Sequence, residues 1–305
     1  MYFGVNTSAG EGRVTADITR RQMLSAAAAL GALAIAPESA YASEVRSSAA
    51  RAGRLKQSAS RWCYSKIPLG ELCSAGKAIG LAGIDLLQQS DWNFVRDRDL
   101  TCSMGYSNDR PDFLTNGFNN RASHPMLLKE LERALPVAKA AGVPNVIAMF
   151  GNRQGRTDAV GIAAAIEGLK KIAPLAEQEG VTVCVELLNS KVDHPDYQGD
   201  HTWFGAEVMT GVGSPRVKLL YDIYHMQIME GDVIRTIRAN HQHIAHYHTG
   251  GVPGRHELDG TQELNWRAVM MAIADTGFRG YVAHEFVPTR DPLTSLREAK
   301  QECDV

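Results

Sequence analysis

The stretch Leu219-Leu220-Tyr221-Asp222-Ile223-Tyr224-His225-Met226-Gln227-Ile228-Met229-Glu230-Gly231-Asp232 decides how the chain is read. A short apolar run starting at Val217 delivers a carboxylate at Asp222 and an imidazole at His225. Polar and turn-forming residues follow, and a helical pattern begins near Val233. This is the pattern of a buried strand whose end presents two chemically active side chains before a helix departs. Three other apolar runs close in the same way: VTVCVE at Glu186, HIAHYH at His248 and YVAHE at Glu285.

Working outward, strand-like and helix-like patterns alternate from Trp62 onward. The candidate strands are Arg61–Ser65, Gly83–Gln88, Leu100–Gly105, Asn145–Phe150, Val181–Leu187, Val217–Asp222, His243–His248 and Gly280–Phe286. Helical faces lie between them. Leu127, Leu128, Leu131, Leu135 and Ala138 make one that stops at Gly142. Ile162, Ile166, Leu169 and Ile172 make another, opening at Thr157 and stopping by Gly180. Shorter faces run over Val233, Ile234 and Ile237, and over Val269, Met270 and Ile273. Pro136 and Pro174 fall inside two of these patterns and are expected to kink or shorten them. Strands alternating with helices imply a parallel sheet. Eight such units in about 240 residues predict a closed (β/α)₈ TIM barrel, with an open doubly wound sheet as the alternative. Gly211-Val212-Gly213 precedes a strand instead of following one, so it is no dinucleotide fingerprint.

The chain of 305 residues is long enough for such a barrel, and 44% hydrophobic with 22% charged residues is ordinary for a globular core. A formal net charge of −2 carries no basic footprint, which disfavours nucleic acid as a partner. The five cysteines include no CxxC pair and read as small buried hydrophobes. The N-terminal part reads as an address. Arg20-Arg21 precede the apolar stretch Met23 to Ala36, and Ala40-Tyr41-Ala42 offers a small-x-small cleavage site. The apolar stretch is shorter than the ~20 residues a membrane span needs. Residues 1–42 are therefore expected to be a signal peptide resembling the twin-arginine type. That implies export, a periplasmic location and no stable membrane insertion after processing. Residues 43–61 are expected to be a leader or linker, and 62–305 a single barrel domain.

A barrel gathers the C-terminal ends of its strands around one pocket, so Glu186, Asp222, His248 and Glu285 are expected to converge. Three carboxylates in one pocket repel unless a cation sits among them. With one imidazole they suit a single divalent ion, Mn²⁺, Mg²⁺ or Co²⁺, with Zn²⁺ also admissible.

These residues carry a resemblance. Glu186-Leu187-Leu188-Asn189, Tyr221 to Met226, His246-Tyr247-His248 with Pro253-Gly254-Arg255-His256-Glu257, and Tyr281 to Glu285 resemble the xylose-isomerase-like TIM-barrel superfamily. Within it they are most similar to the hydroxypyruvate isomerase and sugar phosphate isomerase/epimerase group. The resemblance covers Trp62 to the C-terminus and is densest from Glu186 on. It implies that Glu186, Asp222, His248 and Glu285 hold the metal and that His225 and Arg255 bind substrate. The glutamate found in ketose 3-epimerases six residues after the first is replaced here by Val192, with Asp193 one further on.

The implied reaction is physically coherent. A metal polarises a carbonyl, a carboxylate removes the neighbouring C–H proton, and donors hold the planar cis-enediolate. Glu186 and Glu285 are the expected acid/base pair, acting on a carbohydrate or small hydroxy-carbonyl substrate. Arg255 and Glu257, in a Gly/Pro-rich loop, and Asn152 after the fourth strand are added as substrate-binding candidates. His246 is expected one layer deeper than His248, and His194 and His201 on a polar loop. A keto-sugar lyase or dehydratase on the same barrel, and an exported non-catalytic sugar binder, are the alternatives. A phosphodiesterase of the endonuclease IV type is disfavoured, because strands two to four end in Gln88, Gly105 and Phe150. The outer helices of such a barrel leave room for a homo-oligomer.

Overall fold

The computed structural model describes residues 53–305; the expected signal peptide, and the leader up to residue 52, lie outside them. Nine strands form one sheet in which every pairing is parallel: β1 (Lys56–Ser60), β2 (Gly83–Asp85), β3 (Thr101–Cys102), β4 (Gly105–Tyr106), β5 (Asn145–Met149), β6 (Thr182–Leu187), β7 (Val217–Asp222), β8 (Ile244–Thr249) and β9 (Tyr281–His284). The sheet order is β3-β2-β1-β9-β8-β7-β6-β5-β4. Its two outermost members, β3 and β4, are consecutive halves of one stave separated by Ser103 and Met104. The first half bonds β2 and the second bonds β5, so the nine strands make the eight staves of a nearly closed TIM barrel.

The interruption has local causes. Ser103 turns its hydroxyl to Asp85 Oδ1 at 2.6 Å, and its carbonyl accepts from Asn145 Nδ2 at 2.9 Å. At Gly105 a Cβ would lie 2.4 Å from the Trp92 ring, so only glycine lets the indole pack against this stave.

Helices wrap the outside: α1 (Leu69–Ile79), α2 (Gln89–Arg96), α3 (His124–Ala141), α4 (Asp158–Glu179), α5 (Thr202–Val212), α6 (Ile223–Met229), α7 (Val233–Asn240), α8 (Trp266–Asp275) and α9 (Pro292–Glu302). The expected boundaries of α4 hold. The Thr157 hydroxyl accepts from Val160 N, and Gly180 closes the helix at φ +70°. Contrary to expectation, α3 and α4 continue through Pro136 and Pro174. Both prolines are exposed. The carbonyls they leave unpaired, four residues back at Glu132 and Lys170, belong to exposed residues where water can satisfy them.

Three sequence expectations are corrected. The first strand is Lys56–Ser60, within the expected leader, and Arg61–Tyr64 is a 3₁₀ helix. KQSAS carries no apolar alternation because both faces are polar: Ser58 and Ser60 point into the barrel, where Ser103 Oγ lies 2.8 Å from Ser58 Oγ, and Gln57 is buried on the other face, with His284 Nε2 2.9 Å from its Oε1. The second strand ends at Asp85, not Gln88. Finally, the residues after Asp222 form a helix, not a turn.

Among the described residues no helix is long and apolar enough to cross a membrane. The cysteines are free, and all but Cys63 are buried.

Candidate metal centre and substrate pocket

Asp222 closes β7 and begins α6 at once, and its two oxygens divide the work. Oδ1 accepts from the backbone N–H of Tyr224 at 2.9 Å and of His225 at 3.4 Å, capping the helix. Oδ2 is thereby aimed across the barrel mouth. His248 lies directly opposite Asp222 in the β7–β8 register. Glu186 sits one residue before the end of β6. Glu285 follows β9, where its N–H donates to the Thr249 carbonyl at 3.0 Å and prolongs the ladder.

The structure brings these four together. One ligand atom from each lies within 4.8 Å of every other, and all four residues are buried. Nδ1 of His248 is 2.5 Å from Glu285 Oε2, 3.3 Å from Glu186 Oε1 and 3.9 Å from Asp222 Oδ2. None of these contacts has hydrogen-bond geometry, so a buried nitrogen stands unpartnered among carboxylate oxygens. That donor set can hold a metal ion.

Beneath it lies a residue the sequence reading missed. Asp85, at the end of β2, is fully buried and places Oδ2 2.9 Å from His248 Nε2 and Oδ1 3.1 Å from His246 Nε2. A proton on His248 Nε2 directed at Asp85 leaves Nδ1 facing the cluster, as a metal-ligating histidine requires. Burial disfavours the charged aspartate, but the two histidines outweigh it and hold Asp85 well below the usual carboxylate range. The signal was available in principle, as an acid inside a short apolar run. The misplaced strand end at Gln88 concealed it.

The carboxylates are not equivalent. Burial pushes Glu186 up to about 7, with Glu285 and Asp222 adding to the rise against the opposing His248. Burial also raises Asp222, partly countered by Arg255. At Glu285 burial is overcome by Arg255, His248 and the hydrogen bond from Trp62 Nε1, and the group falls to about 2. His248 is disfavoured as a cation by burial, yet Glu285, Asp85 and Glu186 hold it well above the usual histidine range.

Arg255 and His225 join the cluster. Arg255 Nη2 donates to Asp222 Oδ2 and to Glu285 Oε2, each at 2.6 Å, and its Nε donates to the Glu285 carbonyl at 3.0 Å. Its backbone stands at φ +57° in the loop after β8. His225 Nε2 lies 2.7 Å from Arg255 Nη1 and 3.6 Å from Asp222 Oδ2. A cavity of about 350 Å³ opens above them. Its polar lining is Glu186, Glu285, His225, Arg255, Asp193 and His194, and its remaining lining is Trp62, Leu86, Tyr106, Leu114, Ile147, Met149 and Leu188. His194 thus belongs to the pocket, whereas His201 pairs with Asp200 at 2.8 Å outside it.

Two expected substrate residues are not brought here. Glu257 is buried elsewhere. It accepts from Thr289 N and Oγ1, both at 2.9 Å, from Ser295 Oγ at 2.8 Å and from Arg290 N at 3.2 Å, clamping the loop after β8 to the loop after β9. Asn152 does not line the cavity. Its N–H donates to the Thr115 carbonyl at 2.9 Å, and its own carbonyl accepts from Asn119 and Arg156.

The family model described as the xylose isomerase-like TIM barrel matches residues 95–304. The chain belongs to that family. It is similar to proteins named as isomerases. It is 31% identical over 171 residues to a putative hydroxypyruvate isomerase of Homo sapiens, covering 54% of this chain and 62% of that protein. It is 32% identical over 157 residues to a 2-oxo-tetronate isomerase of Cupriavidus necator, covering 51% of this chain and 60% of the relative. The chain thus spans about three-fifths of the length of these curated relatives. Among solved structures, an AP endonuclease, family 2, from Brucella melitensis superposes with a TM-score of 0.70 at 24% identity. That match covers 79% of this chain and 96% of the other, a likeness of fold.

Proposed function

We propose that this xylose isomerase-like barrel is a divalent-metal-dependent isomerase or epimerase of a sugar or small hydroxy-carbonyl compound, working through a cis-enediolate. The observation that carries the reading is the convergence of Glu186, Asp222, His248 and Glu285 beside His225 and Arg255 at one end of the barrel. Relatives named as hydroxypyruvate and 2-oxo-tetronate isomerases support the same class.

The unpartnered His248 Nδ1 among carboxylate oxygens fits a bound cation, with Mn²⁺, Mg²⁺ or Co²⁺ favoured by three oxygen ligands and one nitrogen. Glu186, Asp222, His248 and Glu285 would hold it. When bound, the ion supplies a Lewis acid that polarises a carbonyl and acidifies the adjacent C–H.

The remaining work falls to the chain's own groups. Glu186 is the carboxylate that burial and its acidic neighbours most favour in the protonated form, which suits it to take a proton and return it. Its Oε1 faces His248 at 3.3 Å, which leaves Oε2 to carry the proton. Glu285 has both oxygens engaged, Oε1 by Trp62 Nε1 and Oε2 by Arg255. It therefore stays ionised and, in an epimerisation, takes the C–H proton after giving up one of these partners, while protonated Glu186 supplies the proton to the opposite face. Arg255 and His225 stand where donors to an enediolate oxygen are needed. Return of the proton to the neighbouring carbon isomerises; return to the opposite face epimerises. Leu86, Leu114, Ile147 and Met149 offer no polar group, so they exclude water and select by shape.

The test is proton exchange in D₂O with Mn²⁺-loaded protein and a panel of hydroxypyruvate, 2-oxo acids and ketoses. Deuterium is expected at the carbon beside a carbonyl, lost on chelation and in Glu186→Gln. Release of water from the substrate would move the assignment to a dehydratase, and no exchange with any member would contradict the reading. We also propose twin-arginine export; Arg20-Arg21→Lys-Lys should then retain the protein in the cytoplasm.

A further inference from the structure

The opposite end of the barrel, where the strands begin, takes no part in the roles above. A cavity of about 330 Å³ opens there, across the starts of β5 to β9 and of β1. Its lining holds three side-chain cations, Lys56, Arg216 and Arg279, and no carboxylate. In a chain with 34 acidic residues against 32 lysines and arginines, that is a local excess which overall composition does not supply.

The carboxylates close by in the chain are committed elsewhere. Asp275 pairs with Arg54 at 2.9 Å, Glu179 pairs with Lys139 at 3.2 Å, and Glu177 accepts from Ser214 Oγ at 2.6 Å. Two of the three cations have defined seats. Lys56 lies opposite Tyr281 in the β1–β9 register and sets its Nζ 5.2 Å from the centre of that ring. Arg216 Nη1 donates to Thr182 Oγ1 at 3.3 Å. Thr182 is buried, and its hydroxyl, accepting from Arg216, keeps its own proton to donate. Arg279 stands between α8 and β9, two residues before Tyr281. Like charges gathered about one cavity repel, and an anion seated among them turns that repulsion into attraction.

We propose that this cavity binds a phosphate group, free or as a small monoester. The two guanidinium groups present paired donors that match phosphate oxygens, Lys56 adds a point charge, and Thr182 adds a neutral donor. The site is separate from the carboxylate cluster. Arg216 precedes Asp222 by six residues of the same strand, about 20 Å at the usual rise of ~3.3 Å per residue. A phosphate here ties the starts of β7 and β9 to that of β1, the strand whose pairing with β9 joins the two ends of the described chain. It therefore stabilises the fold by mass action and leaves the chemistry at the other end untouched.

The test is a titration of the full-length chain at low ionic strength with inorganic phosphate and, separately, with glycerol 2-phosphate, followed by calorimetry and by Tm. One phosphate group bound per chain and a rise in Tm are expected. Affinity should fall about tenfold in Arg216→Gln and in Arg279→Gln, the loss of one charge-assisted contact each. It should vanish when both are combined with Lys56→Gln, and Arg255→Gln, at the metal end, should bind as the wild type does. Tighter binding of inorganic phosphate supports the free ion as the ligand; tighter binding of glycerol 2-phosphate supports an ester. No binding of either probe by the wild type, undiminished binding by the triple variant, or an equal rise in Tm with chloride at matched ionic strength would overturn the proposal. If the triple variant does not fold, the single variants and the chloride control decide. None of these outcomes depends on the isomerase reading.

Discussion

The two halves of the barrel are built to different rules. From β6 to β9 the strands run four to six residues, and they deliver Glu186, Asp222, His248 and Glu285 to one point. In the first half β1 and β5 have five residues each, but between them β2 has three and the interrupted stave of β3 and β4 two each. They contribute an apolar wall of Leu86, Tyr106, Ile147 and Met149. The difference teaches a division of labour: one half supplies charge, the other shape. Asp85 is the exception that joins them, a carboxylate from the first half that orients an imidazole of the second.

Breaking the charged half should have the largest effect. Glu186→Gln is expected to lower kcat by about 10²–10⁴-fold, the usual contribution of a positioned acid/base group, measured as the rate of deuterium wash-in. Crossing the boundary comes next. Asp85→Asn should weaken metal affinity by about 10–100-fold, read by competition with a chelator, while the fold persists.

Within the charged half, Glu257 separates holding the fold from doing chemistry. Its carboxyl lies at about 2, below its ordinary 4.5: burial opposes the fall, and hydrogen bonds from its own backbone, Ser295 and Thr289 outweigh it. A folded value below the unfolded one gives stability that is complete above about pH 4.5 and is lost as pH falls toward 2. Glu257→Gln should therefore lower stability by about 2 kcal/mol at pH 7, and the gap in Tm from wild type should close across that acid window. The smallest effect belongs to the apolar wall. Leu114→Ala should raise KM by less than about tenfold with kcat nearly unchanged, because a shape contact is made equally in ground and transition states.

The same division governs what could be read in advance. The strands of the second half are apolar runs closing on an acid or histidine, so their number, order and site residues are plain in the sequence. In β1 both faces are polar, with Ser58 and Ser60 inside the barrel and Gln57 buried on the other face, so KQSAS carries no strand signal at all. The reading slid to Arg61–Ser65, and the end of β2 slid past Asp85 because the apolar Leu86-Leu87 continue the run. Glu257 and Asn152 were plausible from their loops. Which way a loop side chain turns depends on partners far along the chain, such as Thr289 for Glu257 and Thr115 for Asn152. The short helix after Asp222 became visible only with its cap, since Met226 to Met229 read equally well as packing.

The central claim is that one end of this barrel holds a single divalent ion through Glu186, Asp222, His248 and Glu285. Titration of the metal-stripped full-length chain with Mn²⁺, followed by electron paramagnetic resonance of the free ion, tests it most directly. The account predicts one ion bound per chain in the wild type and none retained in Asp222→Ala combined with His248→Ala. No binding by the wild type, or undiminished binding by the double variant, would contradict it.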